Sequence, residues 1–499
     1  NEVWLISDWE YYTKDDMIYM PYYNFYQKKP QLWASGTSGE ITMATDADVF
    51  LSAHVGSYLK YQSGLVKITE VRGPRDIAGT VIKKLSATGK TNDWAEAAFS
   101  DARGWPVSVT FHQNRMVIGG SRDLPNRLWL SKSSDLFNFD LGKAVDDDAI
   151  EFGILSDQVN AIKAVVSTRH LLVFTTGAEW MVSGEPLTPE KIQLKRQTNV
   201  GIYAEKILAP QQIDGATVFV SRSGRQLREF LYTDVEQAYQ AKDLTILSND
   251  IISRPRDISF DPDSSVVYLV LEDGTLSCLT TYRTEAVTAW CKLNTAGKFI
   301  SAAVIGDNIY FCVERKNGWF IEKFVDDYYS DCSLRLTSET PQRDWSGLEH
   351  LEGEEVVVLA NGFSLGKFKV EEGEIHLLDE ADEIIAGLPY EHLIEPLPYM
   401  VEAERPYSPK ALRVIGARFR ILDSKSFCID IGSGYFHYPL KRIHRDKIFD
   451  SPPLTYSGDV QMRALGWIRE MNKPMWSIKS DEPLAFTLLS AVAEIKLKE

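Results

Sequence analysis

The side chains able to do chemistry are present in this sequence, but their spacing assembles no reaction centre. Eight histidines (His54, His112, His170, His350, His376, His392, His437 and His444) are scattered, and no two stand at H-x-H or i, i+4 spacing. Those are the spacings that put two imidazoles on one strand face or one helix face in front of a metal. The five cysteines, Cys278, Cys291, Cys312, Cys332 and Cys428, are odd in number and form no C-x-x-C pair, so reduced, buried thiols are expected. Asp146, Asp147 and Asp148 carry charge suited to a cation. They lack the alternating oxygen ligands and glycine of a calcium loop, and neighbours on an extended chain point to opposite faces, so a solvated loop is expected. There is no G-x-S-x-G elbow, H-E-x-x-H helix or phosphate-binding P-loop. Carboxylates are plentiful enough to offer a pair for glycoside hydrolysis, but nothing singles out an acid or a nucleophile. The expectation is a protein without catalytic residues, metal or cofactor, and not an enzyme.

The elements that would position these groups are strands. The chain has 499 residues, 44% hydrophobic and 25% charged, which suits two or three globular domains. No apolar run approaches the roughly 18–20 residues needed to span a bilayer. The first residues show no secretory signal, and the absence of an initiator Met at Asn1 suggests that the gene product extends further upstream. From residue 46 to 330 one idea recurs: a β-branched or aromatic run, a Gly-containing turn, and a second run. The leading runs centre near Val117, Val173, Phe219, Tyr268 and Tyr310, spaced by 56, 46, 49 and 42 residues. A period of about 40–50 residues with several strands per unit is the signature of propeller blades. The fold class is therefore mainly β, a β-propeller of about five or six blades, with residues 48–71 as a further blade. A long array of β-sandwiches is the competing architecture. Helical signals are few: 95–99 and 243–252.

Residues 1–45 form an aromatic-rich N-terminal segment with Trp4, Trp9, Tyr11, Tyr12, Tyr19, Tyr22, Tyr23, Phe25, Tyr26 and Trp33. These rings suit either a subunit interface or packing against their own chain. Residues 331–478 form a second β-rich region in which charge is segregated. Seventeen acids face four bases over 339–405, a net of −13 within a whole-chain charge of −16. Over 406–478 twelve bases outnumber six acids. Residues 479–499 read as a closing strand. An overall acidic chain is unsuited to gripping nucleic acid through its phosphates, though not to letting it pass.

Several blocks carry a family resemblance. GWPVSVTFHQNRMVIGG (104–120) is followed by RLWLSKSSDLFNF (127–139), VDDDAIEFGILSDQVNAIKAVVSTRHLLVFTTGAEWMVSG (145–184), QLREFLYTDVEQAYQAKDLTILSNDII (226–252) and LEDGTLSCLTTYRTEAVTAWCKL (271–293). WSGLEHLEGEEVVVLANG (345–362), EGEIHL and AGLPY continue the series. In this order the blocks resemble the tail nozzle, or tail tubular B, proteins of short-tailed bacteriophages and related prophages. That family's Gly- and Arg-rich platform segment is not found in residues 1–45, which leaves them an interface or a remnant of the platform.

The resemblance implies a structural component of the virion tail, assembled in the host cytoplasm. It implies a homo-oligomeric ring of six copies around the exit channel, below portal and adaptor proteins and beside tail fibres or tailspikes. Genomic double-stranded DNA would pass through without sequence-specific binding, and the region 331–478 would be the nozzle. No catalytic residues carry over. The channel-facing candidates are Glu352, Glu354, Glu355, Glu371, Glu372, Glu374, Glu380, Asp382 and Glu383. Solvated exterior charge is the alternative for these acids. The basic stretch suits subunit contacts or retention of the DNA end. A receptor- or glycan-binding propeller at the tail tip is the rival function.

Overall fold

The computed structural model describes residues 19–155, 160–398, 411–431, 434–440, 454–463 and 473–498. The chain divides into two compact units, Asn1–Glu272 with Ser277–Lys292, and Asp273–Leu276 with Leu293–Glu499.

Residues 108–293, all but five of them in the first unit, fold as four consecutive four-stranded antiparallel meanders. The first blade holds Ser108–His112, Arg115–Gly119, Arg127–Leu130 and Ile150–Gly153, and the second Ile162–Ser167, Leu171–Thr175, Glu179–Ser183 and Gln193–Thr198. Gln211–Ile213, Ala216–Val220, Leu227–Thr233 and Ala238–Asp243 make the third; Pro255–Asp261, Val266–Leu271, Leu276–Tyr282 and Val287–Leu293 the fourth. The apolar runs seen in the sequence are the second strand of each blade, not the first. Leu171–Thr175 and Ala216–Val220 are buried at every position. The period-2 alternation of a strand explains why. Leu171 and Val173 enter a core shared with Val117, Leu128 and Leu130 of the first blade. Leu172 and Phe174 enter another, shared with Phe219 and Phe230 of the third. Val218 and Val220 join the fourth blade's Val267 and Leu269. The second and third blades are thus covered on both faces by their neighbours, which is the packing of a β-propeller.

Residues 22–97 form a seven-stranded sheet. Tyr58–Tyr61 and Gly64–Gly73 are two of its strands, so the stretch 48–71 joins this sheet instead of forming a separate blade. Nor is 95–99 helical. Trp94–Ala97 is a strand, because Glu96 turns into a buried polar cluster while its neighbours pack apolar surface. Residues 243–252 are turns and bends. Among the described aromatics of the N-terminal segment, the packing within the chain is visible. The Tyr23 hydroxyl accepts a hydrogen bond from Trp129 Nε1 at 3.1 Å, and Lys90 lies over the Trp33 ring. Trp4, Trp9, Tyr11 and Tyr12 lie outside the described residues.

The second unit opens with a three-stranded sheet, Lys298–Ile305, Asn308–Arg315 and Gly318–Lys323. Arg315, almost buried, ties this sheet to the next one: its guanidinium meets Glu322 at 2.5 Å and Asp331 at 2.9 Å. Asp331 begins a long strand, Asp331–Ser346, in a four-stranded sheet with Glu374–Leu388, Glu355–Ala360 and Phe363–Lys369. Beyond it, strands His392–Ile394, Ser477–Ser480, Ser426–Asp430 and Phe436–Pro439 make one sheet, and Tyr456–Arg463, Ala411–Ser424 and Thr487–Lys498 another. The two share a core built on Phe419, Phe427, Val460 and Ile478. The final run 487–498 pairs along Ala411–Ser424.

Candidate functional site

The nine candidate channel-facing acids lie on or beside the sheet formed by residues 331–388. Its dry face is made by Trp345, Val356, Val358, Ile375, Leu377 and Ile384. Strict alternation along Glu374–Leu377 sends Ile375 and Leu377 inwards and leaves Glu374 and His376 in water. Seven of the nine acids are exposed; Glu354 and Glu383 are half-buried.

Five of them have a cation within reach. Glu354 pairs with Lys316 at 2.9 Å, Glu355 with Lys367 at 3.7 Å and Glu371 with Lys369 at 2.9 Å. Glu380 pairs with Arg343 at 3.8 Å and Glu383 with Arg335 at 2.6 Å. Glu352 has a different task. Its carboxylate accepts the backbone N–H of Glu372 at 3.1 Å and of Gly373 at 2.6 Å. Both residues are left-handed, φ +56° and +73°, and close the tight hairpin between Glu371 and Glu374, whose backbones are mutually hydrogen-bonded at 3.1 Å. Two successive positive φ values define a type I′ turn, natural for Gly373 and costly for Glu372, and the Glu352 carboxylate compensates. Glu372, Glu374 and Asp382 have no cationic partner among the described residues. The formal charge of the region is therefore partly offset in place, and among the nine candidates Glu372, Glu374 and Asp382 are the carboxylates without a described cationic or turn-capping partner.

Several acids elsewhere in the molecule are committed to structure. Asp148, the best cation candidate by charge, pairs with Lys132 at 3.0 Å and accepts the N–H of Lys143 and Val145; the Lys132 contact helps hold its carboxyl below the usual range. Arg115 donates to the carbonyls of Ser131, Asp146 and Asp148, which fixes that loop. Glu96 is buried with Tyr26 at 2.6 Å, Arg103 at 2.7 Å and His54 at 3.2 Å. Burial would raise its carboxyl, but these hydrogen bonds outweigh burial and hold it below the ordinary value. Glu179 shows the reverse: burial pushes it up, despite hydrogen bonds from Thr198 and Val200. Among the described residues no three His, Cys, Asp or Glu side chains converge as metal ligands, and no helix is long and apolar enough to cross a membrane.

One feature was not legible in the sequence. A cavity of about 690 Å³ lies within the second unit, lined by Phe299, Phe311, Phe324, Tyr329, His392 and Phe486 among others. His392 stacks on Phe486, ring centres 5.6 Å apart, and burial lowers its imidazole pKa. The lining comes from strands far apart in sequence, so no local motif announces it.

Blades packed face to face in the first unit describe a propeller-type protein, and the second unit carries a sheet whose charges stand in water. Residues 107–333 match the family described as bacteriophage nozzle protein. That match supports a structural role in the virion tail. No curated protein matches the chain. Among solved structures, the Swd1 β-propeller domain of Myceliophteria thermophila has 8% identity and a TM-score of 0.29, covering 68% of this chain and 98% of that one. The Pan2 WD40 domain of Neurospora crassa has 8% identity and a TM-score of 0.27, covering 62% and 90%. A putative 6-phosphogluconolactonase of Bacteroides uniformis has 11% identity and a TM-score of 0.31, covering 59% and 95%. Likeness at this level bears on neither activity nor partners.

Proposed function

We propose that several copies of this protein close into a ring, six by the family resemblance, and that the acidic wet face of the 331–388 sheet borders the passage through which the genome leaves. The carrying observation is the segregation itself: exposed carboxylates on one face of a sheet whose other face is a closed apolar core. Double-stranded DNA carries about one negative charge per 1.7 Å of axis, so basic walls would hold it and acidic walls keep it off. Within a Debye length, about 8–10 Å at physiological salt, Glu372, Glu374 and Asp382 would repel phosphates. Repulsion from all sides centres the duplex and lowers friction. The five ion pairs limit the barrier to entry. On this reading the chain catalyses nothing, and its partners are its own copies, the portal and adaptor above, fibres or tailspikes beside it, and the DNA in transit.

Negative-stain microscopy of the purified protein tests the reading, with rings whose hole admits a duplex as the expected result. Purely monomeric particles under assembly conditions overturn it. So does a particle map with these acids on the outer surface.

The aromatic cavity favours one second reading, a glycan- or receptor-binding role at the tail tip. Aromatic rings with a few convergent polar groups are what such pockets offer. Binding on a glycan array, lost on Phe486→Ala, would select it.

A further inference from the structure

Two cysteines of the fourth blade, Cys278 and Cys291, lie on neighbouring strands. Leu276–Tyr282 and Val287–Leu293 are neighbouring strands joined by residues 283–286. The loop closes with the Ala286 N–H on the Arg283 carbonyl at 3.1 Å, and Ala286 is left-handed, φ +54°. A four-residue loop sets Tyr282 against Val287, and counting back along both strands sets Cys278 against Cys291. The packing agrees: Leu279 and Trp290, one step along each strand, share the blade's core. Cys278 and Cys291 therefore share the other face, with their sulfurs within hydrogen-bonding reach. Cα atoms directly opposed in an antiparallel pair are about 4.5–5.5 Å apart, inside the range a disulfide accepts. Cys278 is buried and Cys291 exposed, and both are free thiols.

We propose that Cys278 and Cys291 are a thiol–disulfide exchange site that takes small-molecule disulfides, with Cys291 attacking and Cys278 resolving. The Cys291 thiolate attacks one sulfur of the small disulfide and expels the other as a thiolate. Cys278 then attacks the Cys291 sulfur of the mixed disulfide and expels the second thiolate, which takes up the Cys278 proton. Two protein thiols are oxidised to one disulfide, and one small disulfide is reduced to two thiols. The division of labour follows from the surroundings. The hydrogen bond from Cys278 lowers the Cys291 thiol to about 7, while the same contact and burial push Cys278 up. Exposure and that lowered pKa make Cys291 the sulfur that ionises first and that a dissolved disulfide can reach. A thiol of this kind stays reduced in a cytoplasm and meets oxidants once a virion is released. The bridge would staple the outermost, most exposed strand of the blade to its neighbour.

Folded protein is treated with oxidised glutathione at neutral pH, quenched by alkylation and digested with trypsin, which cuts between the two cysteines at Arg283. The expected product is peptide 257–283 bridged to 284–292, formed faster than any adduct at Cys312, Cys332 or Cys428 and reversed by dithiothreitol. In Cys278→Ser the expected product is Cys291 carrying glutathione. A wild-type protein that stops at the Cys291–glutathione adduct overturns the proposal. So does a bridge that appears only after denaturation, or a Cys291 that does not react.

Discussion

Glu96 and Glu179 are sealed inside the first unit, each under 3% exposed, whereas the acids of the 331–388 sheet in the second unit stand mostly in water. The first unit gives Glu96 a fixed set of donors and drives Glu179 towards the neutral form. The 331–388 sheet leaves most of its candidate acids hydrated and pairs them loosely across strands. This difference separates charge that specifies the fold from charge that is free to act on something outside the chain. A buried ionised group must be matched by hydrogen bonds at its own position, so substitution there breaks the fold. An exposed one costs little to keep or to change, so its accumulation in one region reflects what that region faces.

The largest expected effect breaks the buried side of the comparison. Glu96→Ala strips Arg103, His54 and Tyr26 of their common acceptor, and the loss should be about 3–5 kcal/mol, the scale of removing one partner from a buried charged cluster. Chemical denaturation of the first unit measures it. Because the folded Glu96 carboxyl lies below its unfolded value, the stability it contributes is present above about pH 4.3. That contribution is lost as pH falls through the folded value, so acid unfolding should lose its steepest limb in the variant. An unchanged acid limb would mean that Glu96 is not ionised in the fold.

Glu179 titrates with the opposite sign. Its folded pKa is raised, so its contribution is present below the unfolded value and lost as pH rises through the folded one. Glu179→Gln should therefore stabilise the protein towards alkaline pH, by on the order of 1–2 kcal/mol for one buried polar group relieved of ionisation. Thermal unfolding across pH 5–9 checks it, and parallel wild-type and variant curves would reject the assignment.

How much of this was legible beforehand depended on where each residue faces. LLVFT (171–175) stood out because a strand buried on both faces must be apolar at every step. Its blade's outer strand, QLKRQT (193–198), is largely exposed and leaves no pattern. AEAA (95–98) suits helix and strand alike, and only the tertiary partners of Glu96 decide. The acids of 339–405 were plain in composition, but their ion pairs depend on register: Lys367 meets Glu355 because Val357 and Lys367 are opposed in the hairpin. Cys278 and Cys291, thirteen residues apart, meant nothing until residues 283–286 closed the hairpin between them.

Within the acidic sheet, Glu352 is the exception that sharpens the contrast, since its carboxylate is spent on a turn. Glu352→Ala removes two acceptor contacts from a hairpin that already holds Glu372 at positive φ, and should cost about 1 kcal/mol after allowance for solvent. Replacing Glu372 by Asn, which tolerates that conformation better, should recover part of the loss in the double variant. Denaturation midpoints of the two variants decide it. No recovery would mean that the turn, and the role given to Glu352, is misjudged.

The smallest effect on folding is expected at Glu380. Its contact with Arg343 is long, 3.8 Å, and both side chains are more than half exposed. Glu380→Gln should change stability by less than about 0.5 kcal/mol, as exposed pairs usually do. Its consequence belongs elsewhere: losing the acid frees Arg343 and moves the local charge by one unit towards positive. If this face borders DNA, particles assembled from Glu380→Gln together with Glu374→Gln should release their genome more slowly at low salt, with the difference shrinking as salt screens the wall. Unchanged stability with salt-dependent slowing would separate the two kinds of acid by function as well as by burial. Unchanged release at every salt concentration would leave these carboxylates as solvated exterior charge.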